Sequence, residues 1–118
     1  ARHRGFDRVV LEFRDALPGW HLEYIDHPVR QCGSGRPIEL AGEGWLEVRL
    51  SPARAHDQSG RPLVVRRHRR PNLPVVRELA LSCDFEGVVT WVLGVRSPNR
   101  YRITPLDDPP RLVVDVRH

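Results

Sequence analysis

The chain has 118 residues, 40% hydrophobic and 29% charged, a composition that excludes disordered and fibrous proteins and leaves room for one domain with a buried core. No stretch approaches the roughly 18 apolar residues of a membrane-spanning helix. All the basic residues are arginine, and the formal net charge of +4 permits a polyanionic partner without requiring one.

Alternating apolar and polar residues predict β-strands along most of the chain. In RVVLEF (8–13), Val9, Leu11 and Phe13 share one face, as in a strand with one buried side. Similar runs follow in chain order and predict further strands: WHLEYID (20–26), WLEVRL (45–50), VRELALSC (76–83), RYRI (100–103) and RLVVDV (111–116).

Two features of these runs define the predicted fold. Strict alternation in VRELALSC places Leu79, Leu81 and Cys83 on one face, whereas VVTWVLGV (88–95) is apolar on both faces and is predicted to be a central strand covered on both sides. Glycines and prolines punctuate the runs, and the best helical candidate, SPARAHD (51–57), forms at most a turn. The sequence predicts an all-β antiparallel sandwich, or an open barrel, of about eight short strands with little or no helix.

The first and last strands carry nearly the same pattern, RVVLEF and RLVVDV. If they pair antiparallel and in register, Arg8 faces Asp115 and Glu12 faces Arg111, and each complementary pair contributes about 0.2–1 kcal/mol. Parallel pairing would oppose like charges. We therefore predict antiparallel pairing of the two strands; the alternative places them in separate sheets, as the two halves of a pseudo-symmetric sandwich.

Two acidic motifs are candidates for ligand binding. Asp84 and Glu86 in DFEG could bind a cation or an amine, but Asp favours turns and Gly87 supplies flexibility there. Asp107 and Asp108 in PLDDPPR have no calcium-loop spacing, and the following prolines are typical of a stiff turn. Turn formation is the stronger interpretation of both motifs.

The densest basic run is RRHRR (66–70), which provides four arginines: Arg66, Arg67, Arg69 and Arg70. Such a run could bind phosphates of wall polymers, and the alternative is a solvated loop. No aromatic residue interrupts it, so nucleic-acid binding is not expected.

Tryptophan side chains are candidates for stacking on a sugar ring. Trp91 lies in the central strand and is predicted to be core. Trp45 alternates against Leu46 and Val48, so it is expected to be partly exposed, either as a sugar platform or packed under a loop. Trp20 is the second candidate.

Catalytic and metal-binding motifs are absent from the sequence. None of the six histidines forms an HxH or HExxH pattern, and Cys32 and Cys83 form no CxxC pair. Ser34 in GSG lacks a strand-to-helix context. We expect no enzymatic activity, no metal and no cofactor.

Several segments together carry a family resemblance: GFDRVVLEF, PGWHLEYIDHPV, GSGRPIEL, DFEGVVTWVLGVRS and YRITPLDDPPRLVVDV. Over residues 5–118 the chain resembles the AMIN-like domain of exported bacterial proteins, many of them lipoproteins of high-GC Gram-positives. This assignment leaves residues 1–4 as an N-terminal tail. The closing DDPPRLVVDV is also similar to the end of the broader AMIN domain, which accompanies cell-wall amidases and secretins.

The resemblance implies an all-β sandwich, export to the cell envelope and a non-catalytic role, but it carries over no ligand residue. Because export favours oxidised cysteines, it also implies a disulfide between Cys32 and Cys83, although cysteines are not a rule of the family. That bond would close a loop of about 50 residues and stabilise the fold by roughly 4 kcal/mol. The alternative is two reduced, buried thiols.

The expected function is localisation of an exported domain to the cell wall, by binding peptidoglycan or an attached anionic polymer through Trp45, Trp20 and the arginines of RRHRR. The alternative is docking of an envelope protein through a sheet edge or an apolar patch. Glycan binding predicts an exposed aromatic side chain beside arginine in a groove, whereas docking predicts an open edge strand or a flat apolar patch. Membrane association is expected only through an upstream lipid anchor or signal segment.

Overall fold

A computed structural model of the protein describes residues 1–13, 16–52, 68–85 and 87–118. This part of the chain contains no helix and eleven strands: β1 (Arg2–His3), β2 (Phe6–Glu12), β3 (Gly19–Ile25), β4 (Val29–Arg30), β5 (Pro37–Ile38), β6 (Gly44–Ser51), β7 (His68–Arg69), β8 (Val76–Phe85), β9 (Val88–Val95), β10 (Tyr101–Leu106) and β11 (Arg111–Arg117). The predicted all-β fold is confirmed. The strands outnumber the predicted eight because β1, β4, β5 and β7 have two residues each, too few to show a period.

The strands form two main antiparallel sheets, so the fold is a sandwich. The four-stranded sheet has the order β1-β2-β11-β10, and the five-stranded sheet has the order β3-β6-β9-β8-β7. β4 and β5 form a separate two-stranded pair. β9 lies in the middle of the five-stranded sheet, as its apolar sequence predicts.

The first and last long strands, β2 and β11, are neighbours in the four-stranded sheet. Their antiparallel register sets Arg8 opposite Asp115 and Glu12 opposite Arg111, which confirms the predicted pairing and excludes the placement in separate sheets. Arg8 donates from Nε and Nη2 to the two carboxylate oxygens of Asp115, at 2.8 and 3.1 Å. Arg111 instead donates to two carbonyls of the turn that precedes it.

The hydrophobic core lies between the two sheets. Both sheets contribute alternate, fully buried side chains to it, including Leu46, Val48, Leu50, Leu93, Val95, Leu112, Val114 and Val116. Burying a side chain of this size stabilises the fold by about 1.5–3 kcal/mol. Because successive side chains in a strand point to opposite faces, each sheet has an inner face that packs in the core and an outer face.

A connecting segment, residues 26–43, covers part of the outer face of the five-stranded sheet. A side chain at Gly94 of β9 would collide with the carbonyl of Ala41, so the segment approaches the sheet at backbone distance. Glu43 donates its N–H to the carbonyl of Val95 at 2.8 Å. The predicted covering of β9 on both sides is confirmed at its Gly94 end, whereas Val88 at its other end is partly exposed.

A buried carboxylate, that of Asp7, links the two sheets at one edge of the sandwich. Asp7 belongs to β2 and accepts hydrogen bonds from the backbone N–H groups of Val75 and Val76, at 2.6 and 2.9 Å. Its other oxygen accepts a hydrogen bond from the ring of His118 at 2.7 Å. Burial alone would raise the pKa of Asp7, but the hydrogen bonds from His118, Val76 and Val75 outweigh burial and lower that pKa below its ordinary value.

Two tyrosines link the sheets at the opposite edge. Tyr24 of β3 donates to the carbonyl of Asn99 at 2.5 Å, and Tyr101 of β10 donates to the carbonyl of Leu22 at 3.1 Å. The two rings meet edge to face, 5.8 Å apart. Burial, together with the neighbouring Tyr101, raises the pKa of Tyr24 to about 12.

Residues 1–4, assigned above to a tail, include β1. Arg2 and His3 pair with Asp7 and Phe6, so the N-terminal residues extend the four-stranded sheet by one short strand. Residues 53–57 of the helical candidate SPARAHD lie outside the described residues.

Candidate functional site

A disulfide anchors the loop after β4 to the five-stranded sheet. Cys32 and Cys83 are bonded, with their Cα atoms 5.2 Å apart and a sequence separation of 51. Beside this bond, the N–H of Cys32 donates to the carbonyl of Ser82 at 3.0 Å. The loop therefore contacts β8 at Ser82 and Cys83.

A β-bulge in β8 decides which side chains lie beside the disulfide. Leu81 pairs with Trp91, but the next pair is Cys83 with Thr90, so Ser82 is an additional residue in β8. Cys83 therefore lies on the outer face and not with Leu81 in the core. The prediction that Leu79, Leu81 and Cys83 share one face is wrong for Cys83, because strict alternation does not anticipate a bulge.

A shallow, open groove of about 430 Å³ lies between the disulfide-bonded loop and the outer face of the five-stranded sheet. Its floor includes Val88 and Thr90 of β9 and Ser82 of β8, whose hydroxyl donates to the carbonyl of Thr90 at 3.2 Å.

Charged side chains flank the groove on two sides. Arg30 lies on the loop side and donates from Nη1 to the carbonyl of Gly35 at 2.9 Å. Arg49 lies on β6 and contacts the carboxylate of Glu47 at 3.2 Å. The groove thus presents two guanidinium groups and one carboxylate, and each guanidinium is oriented by a neighbouring oxygen.

Phe85 forms the rim of the groove and is 61% exposed. It pairs with Val88, and Gly87, which precedes Val88, adopts a φ of +80° that glycine accepts without strain. The bulge also places Phe85 on the outer face, since it is two residues beyond Cys83. An exposed aromatic face beside two arginines is suited to a sugar that carries acidic groups.

The two tryptophans proposed for sugar stacking lie on opposite faces of the five-stranded sheet. Trp20 is opposite Leu50 on the inner side and is 40% exposed at the edge strand β3. Trp45 is on the outer side, half-buried under the segment 26–43, where it donates from Nε1 to the carbonyl of Leu40 at 3.4 Å. Its ring centroid lies 4.8 Å from that of His27. The structure does not bring Trp20 and Trp45 together.

The basic run RRHRR is described only in part, since Arg66 and Arg67 lie outside the described residues. Arg69 belongs to the edge strand β7 and is exposed. Arg70 lies 3.5 Å from the carboxylate of the buried Glu78. Neither arginine lines the groove.

The two acidic motifs adjoin turns. Asp84 lies opposite Val89, on the other face of β8 from Phe85, and Glu86 falls outside the described residues. Asp107 and Asp108 belong to the turn between β10 and β11. Within the described residues, no group of three or more histidine, cysteine or acidic side chains is arranged to hold a metal ion. The same part of the chain has no helix that is long and apolar enough to cross a membrane.

Sequence reasoning missed Arg30, Arg49 and Phe85 as a group. The exposure of Arg49 could be predicted from the polar face of β6. Arg30 lies at the groove because the disulfide fixes its loop, and Phe85 lies there because of the bulge in β8. In the sequence, Phe85 directly precedes EG, and this position next to a predicted turn is a local signal of an aromatic side chain outside the core.

The described residues form an antiparallel sandwich with an open groove, flanked by arginines, on its five-stranded sheet. A family model described as AMIN-like domain matches residues 1–118, so the chain belongs to the AMIN-like family. Domains of this family are in general non-catalytic and are associated with exported envelope proteins. No curated protein and no solved structure matches the chain significantly.

Proposed function

We propose that the protein is a non-catalytic, exported domain that binds cell-wall peptidoglycan in the groove beside the disulfide. The observation that carries this proposal is the combination, in one groove, of the exposed ring of Phe85 with the guanidinium groups of Arg30 and Arg49. Glycan binding requires an exposed aromatic side chain beside arginine in a groove, as predicted in the sequence analysis, and this groove has both.

Each side chain has a chemical role in this proposal. The ring of Phe85 packs on the apolar face of a sugar, and the guanidinium groups of Arg30 and Arg49 pair with carboxylates of the wall polymer. Glu47 holds the Arg49 guanidinium at 3.2 Å, which limits the side-chain entropy that binding has to remove. The polar floor at Ser82 and Thr90 offers hydrogen bonds to sugar hydroxyls.

The disulfide supports export, because such bonds persist in oxidising compartments outside the cytosol. It also fixes the loop that carries Arg30 against the sheet that carries Arg49. A groove whose two walls are covalently joined is preorganised, so binding costs less ordering of the loop.

Co-sedimentation with purified sacculi tests the proposal. The wild-type domain is expected to pellet with sacculi that have been stripped of phosphate-bearing polymers. Phe85→Ala and Arg49→Ala are each expected to bind about five- to tenfold more weakly, in line with the loss of about 1 kcal/mol. Trp20→Ala and Arg69→Ala are matched controls, since each removes the same kind of exposed side chain outside the groove.

A wild-type domain that stays in the supernatant would contradict the proposal, as would equal losses for the groove variants and their controls. Pelleting only with phosphate-bearing walls would assign the wall contact to the attached polymer and not to peptidoglycan.

A protein partner in the envelope is the second candidate, and exposed apolar side chains on the four-stranded sheet favour it. Val10 is 45% exposed and Leu106 37% exposed. Strand addition at an edge has less support, because Tyr101 already occupies the Leu22 carbonyl of β3 and Pro105 removes a donor from β10. Capture of a defined envelope protein that is lost on Val10→Glu, with no binding to sacculi, would establish this alternative.

A further inference from the structure

We propose a second binding site, for a linear polymer that carries phosphate groups, on the outer face of the four-stranded sheet. The site lies at the end of the sheet where four arginines meet, Arg8, Arg100, Arg102 and Arg117, and we call it the arginine end. It is on the other sheet from the groove, so it does not depend on the function proposed above.

The strand register builds the arginine end from three strands that are distant in sequence. Arg8 of β2, Asp115 of β11 and Arg102 of β10 form one row across the sheet. In the next row, Phe6 of β2 lies opposite Arg117 of β11. Diagonal neighbours of this kind have Cα atoms about 7–8 Å apart, so the guanidinium groups can contact successive anionic groups of one chain.

Alternation places these side chains on the outer face. The residues beside them in sequence, Val9, Ile103, Val114 and Val116, point into the core or pack against it. Arg100 extends the second row, since the N–H of Arg117 donates to the Arg100 carbonyl at 2.9 Å. Arg100, Arg102 and Arg117 are all exposed.

The positive charge of the arginine end is not neutralised by the described residues around it. Asp115 is the one carboxylate in the two rows, and it is already bound by both donors of Arg8 and is only 12% exposed. Asp7 points to the core side, where His118 and two backbone N–H groups bind it. Within the described residues, the side chains of Arg102 and Arg117 have no carboxylate partner.

A stacked pair of rings lines the same site. The ring of His3 stacks on that of Phe6 with a centroid distance of 4.9 Å and an angle of 4°. The Arg8 guanidinium lies 5.3 Å from the Phe6 ring centre. Arg8 is therefore held in place by a carboxylate and an aromatic ring together, which gives the site one rigid wall.

The charge pattern of the whole face selects a linear polymer over a flat membrane surface. At the opposite end of the sheet lie three exposed acidic residues, Glu12, Asp107 and Asp108, and one arginine, Arg111, which donates to carbonyls of the adjoining turn. A bilayer of anionic lipid would meet both ends of the face and would be repelled at the acidic end. A chain that crosses the strands at the arginine end contacts only the basic rows. Repeated phosphates suit several guanidinium groups at this spacing, because each forms charge-assisted, two-point hydrogen bonds.

Isothermal titration calorimetry of the intact domain with linear polyphosphate, repeated at several salt concentrations, tests this site. Binding is expected to weaken with salt, because each phosphate contact releases counterions. The double variant Arg102→Gln/Arg117→Gln is expected to bind about tenfold more weakly and to lower the salt slope by about two. The matched control, Arg36→Gln/Arg69→Gln, removes two exposed arginines elsewhere and is expected to stay within about twofold of wild type.

Three outcomes would overturn the inference: no binding of polyphosphate by the wild-type domain, equal losses in the two double variants, or binding to anionic vesicles in preference to polyphosphate. Because the substituted arginines are exposed, thermal unfolding is expected to verify that both double variants are folded. Phe85→Ala is expected to retain full polyphosphate binding. If Phe85→Ala loses binding to stripped sacculi but keeps binding to polyphosphate, the groove and the arginine end are two separate sites.

Discussion

The carboxylate of Asp7 accepts a 2.7 Å hydrogen bond from the ring of His118, a residue 111 positions further along the chain. The same carboxylate accepts hydrogen bonds from the backbone N–H groups of Val75 and Val76, at the start of β8 in the opposite sheet. One buried side chain thus joins the first long strand, the C-terminal residues and the five-stranded sheet. Such a carboxylate is stable in the interior only because its hydrogen-bonding capacity is used on both oxygens.

Replacement of Asp7 by Ala is expected to lower the free energy of unfolding by about 2–5 kcal/mol. The substitution leaves the N–H groups of Val75 and Val76 without an acceptor, and each buried orphan costs about 1–3 kcal/mol. Urea denaturation followed by tryptophan fluorescence measures the loss. Glu23→Ala is the matched control, since this carboxylate lies 3.5 Å from His21 with both side chains more than half exposed, and it is expected to cost less than about 1 kcal/mol. Similar losses for the two variants would show that Asp7 does not link the sheets.

The pH dependence of stability follows from the lowered pKa of Asp7. A carboxylate with a depressed pKa in the folded state stabilises the fold at pH values above the unfolded pKa, ordinarily 3.8, and loses this contribution as the pH falls through the folded pKa. The unfolding free energy of the wild type is therefore expected to fall below about pH 4 more steeply than that of Asp7→Asn. Denaturant midpoints between pH 2 and 6, roughly the range over which an aspartate titrates, measure the difference. Parallel curves would contradict it.

The tyrosine pair makes a prediction at alkaline pH. Because the pKa of Tyr24 is raised to about 12, the folded protein resists ionisation of this phenol while the unfolded chain ionises near its ordinary value of 10.0. The contribution of Tyr24 to the free energy of unfolding is therefore fully present below pH 10 and is lost as the pH rises from about 10 to 12. Ultraviolet titration of the phenolate is expected to show one late step, which Tyr24→Phe removes. A late step that persists in Tyr24→Phe would refute the assignment.

The hydroxyl of Tyr24 also makes a prediction at neutral pH. Its loss in Tyr24→Phe removes the hydrogen bond to the Asn99 carbonyl and is expected to cost about 1 kcal/mol. Denaturant unfolding measures this cost, and an unchanged midpoint would contradict the inter-sheet role of the hydroxyl.

Removal of the disulfide is expected to lower both stability and groove binding. For a loop of 51 residues, the chain-entropy relation gives a loss of roughly 4 kcal/mol for Cys32→Ser/Cys83→Ser. Reductant is expected to destabilise the wild type by a similar amount and to leave the double variant unchanged, which serves as the control for side effects of the reagent. Sacculus binding is expected to weaken because Arg30 is no longer held opposite Arg49. Unchanged stability after verified reduction would contradict this prediction.

Local patterns in the sequence predicted much of the fold. The pairing of β2 with β11 could be predicted because charges at Arg8, Glu12, Arg111 and Asp115 are complementary in only one orientation. The central position of β9 could be predicted because both of its faces are apolar. In each case the relevant information lies within a single strand or in two strands of matching pattern.

The groove could not be predicted, because its geometry depends on features that no local pattern encodes. The bulge at Ser82 reverses the direction of Cys83 and Phe85, and alternation alone places Cys83 in the core. Trp45 was expected to be partly exposed, but whether the segment 26–43 would cover it depends on the path of that segment. The Asp7 to His118 contact has no sequence signature either, since a lone aspartate on the inner face of a strand matches no motif.

The position of β11 between β2 and β10 affects how the protein folds. The hydrogen-bond partners in the β2–β11 ladder are separated by about one hundred residues, which is a very non-local contact for a small domain. Among the described strands, a β2 that emerges first from synthesis pairs with the two-residue β1 and then waits for β11. Pairing of β2 with β11 is therefore expected to form only after β11 has been synthesised, and such non-local pairing is a slow step in folding.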